Sequence, residues 1–446
     1  MKTKLFLKLN DIFRGRSLFK NLRELEDMRK WNIEAIQDYT GKNLQNLLKY
    51  AFANVPFYKK FAEKNHLGNN ISYNEIFNLL PIMKKSMIQS NLDDLVSDLY
   101  RNTRKLQWNY TGGSSGDPMW FYNDTDNSAY NRAVILHNLM WTGYKFGDVH
   151  GYIYGGNIEE QLNLSFWQKA NDWIMNCFRT NSLFLNDRNL EEFTRNCIKK
   201  KARFLICYAS SLFEFAHYIK RKGISLSFDF LQSTSECLTD EMREEIEKTF
   251  NCKIFDRYGC REGGNIAHEC NNHDGLHINW QTVYVEIINK GKYPWLGPDY
   301  GDIVFTTLKA RGMPFIRYSV EDIGRIVEGP CPCGMNSPRL YLGGARTGDL
   351  LVATNGSVCS ASPILFLSLH LKSIKKIQFI QHKRNAITVN CIKSNDFHED
   401  EIRLLIQNLH KVLGEDMNVE IKYVDNIERE KSGKYRVTKR TFDIPQ

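Results

Sequence analysis

The stretch Tyr110 to Pro118 reads Y-T-G-G-S-S-G-D-P, with three glycines, two serines and a threonine in nine residues. Glycine allows positive φ and close backbone approach, while Ser and Thr add short hydroxyls beside a row of backbone N–H groups. A loop of that kind suits a polyanion, because amides converge on phosphate oxygens and hydroxyls fill the gaps between them. It is not a Walker A loop, since no Gly-Lys-Ser/Thr follows at the required spacing, and it is not the dinucleotide fingerprint G-x-G-x-x-G. Further along, Asp256-Arg257-Tyr258-Gly259-Cys260-Arg261-Glu262-Gly263-Gly264 sets carboxylates after an apolar run, in a glycine-rich turn where one can hold Mg²⁺ against phosphates. Gly301-Asp302 and Ile316-Arg317-Tyr318-Ser319-Val320-Glu321-Asp322 offer carboxylates able to accept bonds from ribose hydroxyls. Lys431-Ser432-Gly433-Lys434-Tyr435-Arg436 puts a lysine on a loop near the C-terminus, within reach of a nucleotide phosphate.

A second kind of chemistry is written in thiols. Cys331-Pro332-Cys333-Gly334 is a tight knuckle, and Cys270 and His277 precede it. Two thiolates from the knuckle with a Cys and a His from elsewhere would close a tetrahedral structural zinc site. Cys260, His268 and His273 are competing ligands.

Elements that could position these groups follow from the pattern. Trp31 to Lys64 is helical, with a break at Asn54-Val55-Pro56-Phe57-Tyr58. Helices are also expected over Met83 to Leu92, Ser128 to Gly143, Leu212 to Lys222 and Thr239 to Phe250, the last with Thr239 as N-cap. Strands are expected at Trp120 to Tyr122, Asp148 to Tyr154, Phe204 to Tyr208, Phe228 to Ser233 and Lys253 to Tyr258. Strand–helix–strand alternation of this kind is the doubly wound α/β signature, with ligands at the strand C-ends. From Val283 to Ile326 the chain turns β-rich, with strands at Val283 to Ile288, Ile303 to Thr307 and Phe315 to Tyr318. Gly343 to Gly348 reads as a boundary. Beyond it, Ser373 to Phe379, Ala386 to Cys391, the helix His398 to Leu413 and Val419 to Tyr423 give a β-β-α-β order. The expected architecture is α/β: a large N-terminal domain (1–343) with doubly wound sheets and a β-rich subdomain, and a small α+β domain (344–446).

Composition bounds the function. At 446 residues, 42% hydrophobic and 25% charged, the chain reads as a globular protein of two or three structural units. The net charge of +9 is spread over 60 Lys and Arg, which favours anionic ligands over a nucleic-acid stripe. No apolar run approaches the roughly 18 residues of a membrane span, and Met1 to Lys20 has basic residues among its leucines without the continuous apolar core of a signal peptide. A short helix lying on a membrane surface is the alternative use of that segment. Eleven cysteines without an export signal are expected to be reduced thiols in the cytoplasm.

In this order and at these separations, the motifs resemble the adenylate-forming superfamily of acyl-CoA synthetases. The branch is the phenylacetate–CoA ligase-like group, which includes coenzyme F390 synthetase and capsule-biosynthesis proteins. The resemblance spans nearly the whole chain, including Leu44 to Tyr58, which looks like that branch's Leu-Leu-x-Tyr-Ala…Val-Pro-Phe-Tyr stretch. It implies that Thr111, Gly112, Gly113, Ser114, Ser115 and Gly116 cover the ATP β- and γ-phosphates. It places Ser233 to Glu236, hence Ser235 and Glu236, along adenine. The stretch Asp256, Arg257, Tyr258 and Gly259 would border the adenylate, with Tyr258 as its aromatic neighbour. Glu262 would be the Mg²⁺ carboxylate, and Asp322 would bond the ribose with Arg317 nearby. Arg346 would stand at the junction with a mobile C-terminal domain, and Lys434 would stabilise the adenylation transition state. The branch also has Glu-Cys, Gly-x-His and Cys-x-Cys-Gly in the order found here, which implies Zn²⁺ on Cys270, His277, Cys331 and Cys333.

The implied activity is ATP-dependent activation of a carboxylic acid as acyl-AMP, followed by transfer to CoA. The alternatives are transfer to an amine in polysaccharide or capsule biosynthesis, and a scaffold that kept the fold and lost turnover. Departures favour the scaffold. Asp117 and Met119 flank Pro118 where lysine is common, Tyr-Ser-Val-Glu-Asp replaces Tyr-Arg-Thr-Gly-Asp, and Gly348 sits at a hinge position. Retention of Glu262 and Lys434 argues against it. ATP, Mg²⁺, CoA and structural Zn²⁺ are the implied cofactors, a small-molecule acid is the partner, a homodimer is allowed, and no nucleic acid is expected.

Overall fold

The structure, a computed structural model, describes residues 2–13, 17–66, 73–111, 119–154, 166–182, 185–346, 350–359, 371, 373–394, 396–428 and 435–442. Its centre is an eleven-stranded sheet whose character changes midway. Strands β3 (His150–Tyr154), β4 (Cys177–Asn181), β5 (Phe204–Tyr208), β6 (Phe230–Thr234) and β7 (Ile254–Cys260) run parallel in the order β4-β3-β5-β6-β7. Every residue of β5 and β6 is buried. That is why they read as unbroken apolar or small runs: helices cover both faces of a parallel sheet. On one face lie α10 (Asp187–Lys200), α11 (Ala209–Arg221) and α12 (Asp240–Phe250). On the other lie α1 (Lys2–Phe13), α2 (Leu18–Met28) and α8 (Thr125–Trp141).

At β7 the sheet turns antiparallel and continues through β8 (Gly264–Glu269), β9 (Leu276–Ile278), β13 (Arg339–Arg346), β12 (Tyr318–Val327), β11 (Gly301–Thr307) and β10 (Val283–Ile288). This is the expected β-rich part. It shares a core with α3 (Ile33–Asn54) and α4 (Pro56–Lys64), which the Val55-Pro56 step separates. Strand β12 starts three residues later than Phe315, after Arg317 bends the chain with a φ of 52°, and Glu321, at 61°, bends it again inside the strand.

The C-terminal residues form a separate core around Phe379, Val389, Leu405 and Leu409. Its four-stranded sheet has the order β18-β17-β16-β19, with β16 (Ile374–Lys383), β17 (Ala386–Lys393), β18 (Asn418–Tyr423) and β19 (Thr438–Arg440). The β-β-α-β order holds, with helix α13 (Glu399–Leu413) between β17 and β18. Strand β19 completes the sheet parallel to β16. The division expected at 343/344 falls inside β13. Gly343 is there for packing, since a Cβ would come 2.8 Å from Leu296 and 2.9 Å from Ile323. Strand β13 runs on to Arg346, paired with β12. No helix among the described residues is long and apolar enough to cross a membrane.

Candidate active site

The parallel strands end, the antiparallel strands begin and the C-terminal unit docks at one place. Two bulges aim side chains there. Between β11 and β12 the register passes from Ser319↔Val304 to Ile323↔Asp302, so Val320 to Asp322 bow out of the ladder. Asp322 Oδ2 then accepts from the Tyr258 hydroxyl at 2.7 Å, which joins the end of β7 to β12. Between β7 and β8, Gly259 pairs with Asn265 directly after Tyr258 pairs with Ala267, leaving Ile266 as the extra residue. Gly259 has to be glycine, because a Cβ would lie 2.3 Å from the Gly264 carbonyl oxygen.

Glu262 is buried in the turn after β7 and its Oε1 accepts from the Tyr318 hydroxyl at 3.1 Å. Burial and the Glu262 charge push the Tyr318 phenol far up, so it is a donor at every ordinary pH. No lysine or arginine pairs with Glu262 among the described residues. A buried carboxylate without a cation fits a divalent ion, and Glu262 is the residue that would hold Mg²⁺.

Of the phosphate-loop residues, Thr111 is described, while Gly112, Gly113, Ser114, Ser115 and Gly116 lie outside the described residues. The base of that segment is clamped. Thr111 N donates to the Met119 carbonyl at 2.9 Å, and Met119 N donates to Thr111 Oγ1 at 3.1 Å. The strand leading into it, β1 (Leu106–Tyr110), is tied to the Glu262 turn by Arg261. The guanidinium donates to the Tyr110 carbonyl at 2.7 Å and stacks 4.7 Å from its ring centroid. Sequence reasoning missed Arg261. A cation directly before Glu262 was the available signal.

On the opposite side, Ser235 sits after β6 with φ of 68°, a conformation unusual for a non-glycine residue. Beside it, the Glu236 carboxylate accepts two backbone N–H groups. One is Ser210 at 2.9 Å, in the first turn of α11; the other is Tyr435 at 2.9 Å, from the C-terminal unit. Lys434 lies outside the described residues, but its neighbour Tyr435 is thus held at the C-end of β6. Lys376 adds a second link, 3.3 Å from Glu214 of α11. The backbone of Arg346 stands in register with Asp322, and its side chain is outside the described part.

Two expected residues are placed elsewhere. Arg317 lies next to Tyr318 in sequence, but the guanidinium pairs with Glu286 at 3.2 Å and caps the carbonyls of Asn78 and Leu80 at 3.1 and 2.9 Å. Tyr318 bonds Glu262, while Arg317, in a left-handed turn of the backbone, is used up on Glu286 and these carbonyls. Arg317 is a strut for the N-terminal helices. Asp256 is also internal. Its Oδ1 accepts from the Ser233 hydroxyl and from Arg257 N at 2.9 Å, and its own N–H donates to Glu269 at 2.7 Å. Burial, reinforced by the Glu269 charge, pushes the Asp256 carboxyl up to about 6. Burial would raise Glu269 as well, but bonds from His273 and Arg243 hold it low.

The thiol residues converge. Ligand atoms of Cys270, His277, Cys331 and Cys333 all lie within 4.8 Å of one another. Cys270 Sγ is 3.7 Å from Cys331 Sγ, and Cys333 Sγ is 3.4 Å from His277 Nε2. Four ligands at about 2.0–2.3 Å from a tetrahedral ion stand about 3.5–3.8 Å apart, so the spacing fits zinc. His277 Nδ1 faces the Ser337 hydroxyl at 2.6 Å, which leaves Nε2 for a metal. Burial pushes the imidazole down to about 4, keeping it neutral. The competing residues are spoken for. Cys260 faces Gly263, His268 bonds Gln232, and His273 bonds Glu269.

A large domain whose sheet changes from parallel to antiparallel at its ligand-facing edge, with a small α+β unit docked on the strand ends, is the fold of the adenylate-forming enzymes. It superposes on 2-hydroxyisobutyryl-CoA ligase, solved in the postadenylation state with 2-HIB-AMP, with a TM-score of 0.70 at 17% identity over 94% of this chain and 92% of that one. Residues 351–441 match the CapK C-terminal domain family. The chain is 26% identical to protein CapK of Staphylococcus aureus over 98% of its length and 94% of that protein's. It is 24% identical to phenylacetate-coenzyme A ligase of Pseudomonas putida over 68% of this chain and 70% of that one. The chain is thus a homologue of CapK and the phenylacetate-coenzyme A ligases, with the fold of the acyl-CoA ligase it superposes on.

Proposed function

We propose that the protein is an ATP-dependent, AMP-forming acid ligase. A carboxylate oxygen of the acid attacks the α-phosphorus, the bond to the bridging oxygen breaks, and pyrophosphate leaves with that electron pair. Acyl-AMP then gives its acyl group to an acceptor thiol, as in CoA, with an amine as the alternative acceptor. The observation that carries this reading is the convergence of Glu262, the Tyr258–Asp322 pair and the Glu236–Tyr435 contact on the strand C-ends. Lys434 is assigned to the site as the residue before Tyr435, whose N–H is bonded there.

Each residue has a role in this reading. The segment from Thr111 through Gly116 is assigned to the terminal phosphates, and Glu262, bonded by the Tyr318 hydroxyl, to the metal. Asp322 accepts from ribose hydroxyls, with Tyr258 setting its orientation. Ser235 and Glu236 lie beside the base. When bound, Mg²⁺ neutralises charge building on the phosphates. Lys434 adds a compact cation at the α-phosphate. Residues beyond Arg346 act as the lid. Structural Zn²⁺ on Cys270, His277, Cys331 and Cys333 braces the wall that carries β13.

The test is pyrophosphate release from ATP and Mg²⁺ with pooled carboxylic acids, with and without CoA and amine acceptors, beside Lys434→Ala. Acid-dependent release that falls by about 100-fold in the variant is the expected result. An acid-independent background equal in both proteins would overturn the reading and leave the scaffold.

A further inference from the structure

Arg257 follows a buried carboxylate in sequence, yet its guanidinium does not pair with it. Only Nε is engaged, donating to Thr234 Oγ1 at 3.2 Å. Among the described residues the two terminal nitrogens have neither a carboxylate nor a carbonyl. This is unusual for an arginine that is half-buried at the end of a central strand, because five donors in a fixed fork ask for an oxyanion. Its direction is defined by the ladder. Arg257 pairs with His268 and Thr234, whereas Tyr258 points to the other face and reaches Asp322. Arg257 therefore faces α8, away from the Tyr258–Asp322 pair that the reading above assigns to ribose.

The same face holds further polar groups with unspent capacity. Gly259 pairs with Asn265, whose amide is buried with neither its oxygen nor its nitrogen partnered. Asn131 of α8 rests on Gly264, where a Cβ would come 2.5 Å from its Oδ1, and that oxygen is also unpartnered. Gln232, two residues before Thr234 on β6, donates to His268 and leaves its own oxygen unpartnered. Tyr154 of β3 reaches Thr234 and lies within the field of Arg257. A buried amide atom left unbonded gives up its hydration without return, so four such atoms on one face, beside an arginine without an anion, point to a polar ligand. An aryl or alkyl chain would leave all of them unsatisfied.

We propose that this wedge between α8 and the strand ends receives the acyl part of the substrate, and that Arg257 binds a second carboxylate on it. The acid would then be a dicarboxylate, with further hydroxyl or carbonyl groups read by Asn131 and Asn265. This rests on the adenylation reading, since the first carboxylate is the one activated.

The experiment pairs each diacid with the monoacid of the same length: succinate with butanoate, glutarate with pentanoate, malate with 2-hydroxybutanoate. Pyrophosphate release is measured for wild type, Arg257→Met and Arg257→Lys. At least one diacid should exceed its partner by about 100-fold in kcat/KM, and Arg257→Met should bring that ratio to within about threefold, with Arg257→Lys between them. Equal use of both acids by the wild type overturns the proposal and leaves adenylation standing. So does a variant that loses all acids alike while KM for ATP rises, since Arg257 would then hold the nucleotide. If no acid of this panel releases pyrophosphate, adenylation is judged by the pooled-acid test above. The arginine is then decided by melting shifts with each acid alone, where no diacid-specific shift that needs Arg257 overturns it too.

Discussion

Asp256 and Glu269 are two carboxylates sharing one buried site, and they divide the charge unequally. Glu269 is fixed as the anion by Arg243 and His273. Asp256 is left to absorb the burial, with a folded pKa raised to about 6. A carboxyl raised above its unfolded value of about 3.9 stabilises the fold below that pH, and this contribution is lost as pH rises through about 6. Asp256→Asn keeps the acceptor for Ser233 and removes the penalty. It should raise the melting temperature at pH 8, by an amount equivalent to about 2–3 kcal/mol, with the gain vanishing at pH 4. Equal melting of both proteins at pH 8 would mean that the charge is stabilised by something else, such as a ligand cation. This pair shows why motifs give only part of a site. Tyr258, Glu262 and Asp322 stand out in recognisable stretches, and the fold brings them to one end of the sheet. Asp256 and Arg317 were not separable from them, since the local backbone decides which way each neighbour turns. Arg261 was passed over because a lone cation in a turn has no signature.

Elements decide what no single residue states. The choice among four histidine and cysteine candidates for the metal was open in the sequence. The pairing of β8, β9 and β13 sets His277 opposite Arg339 and beside the knuckle of Cys331 and Cys333, the set that the metal reading would use. His268 pairs with His277 across β8 and β9 and shares its face beside Trp141, but its Nε2 is taken by Gln232. Strand β19 escaped notice because Thr438-Lys439-Arg440 has no apolar run and exists through pairing with β16. The long parallel strands were plain because burial on both faces leaves an unbroken hydrophobic signal. The metal reading has its own test at this scale. Ser337 touches no metal in this arrangement but orients His277, so Ser337→Ala should weaken zinc binding by about 10–100-fold. Competition against a chromophoric chelator reads this directly. An unchanged affinity, or purified wild type without stoichiometric zinc, would return the four residues to the role of a packed thiol cluster.

At the scale of the whole molecule, the question is how a small domain with its own core meets a large one. Two polar links among the described residues join them. Glu236 accepts an N–H from each unit, and Lys376 pairs with Glu214 across the same seam. Glu214 and Lys376 are only partly buried, so that pair is screened and weak. The Glu236 carboxylate makes charge-assisted bonds to backbone, which hold geometry better than a pair of long side chains. If the C-terminal unit delivers Lys434 for the first half-reaction and then moves to admit the acceptor, Glu236 belongs to the first arrangement alone. Glu236→Ala should slow single-turnover formation of acyl-AMP by about 10- to 100-fold, the worth of a charge-assisted bond of about 1.5–3 kcal/mol. Consumption of pre-formed acyl-AMP by the acceptor should change much less. Lys376→Ala should move neither step by more than about threefold. Equal slowing of both half-reactions by Glu236→Ala would show that the carboxylate supports the strand ends as a whole, through Ser210 and α11. The docked arrangement would then be the resting position of the unit, with no special tie to adenylation.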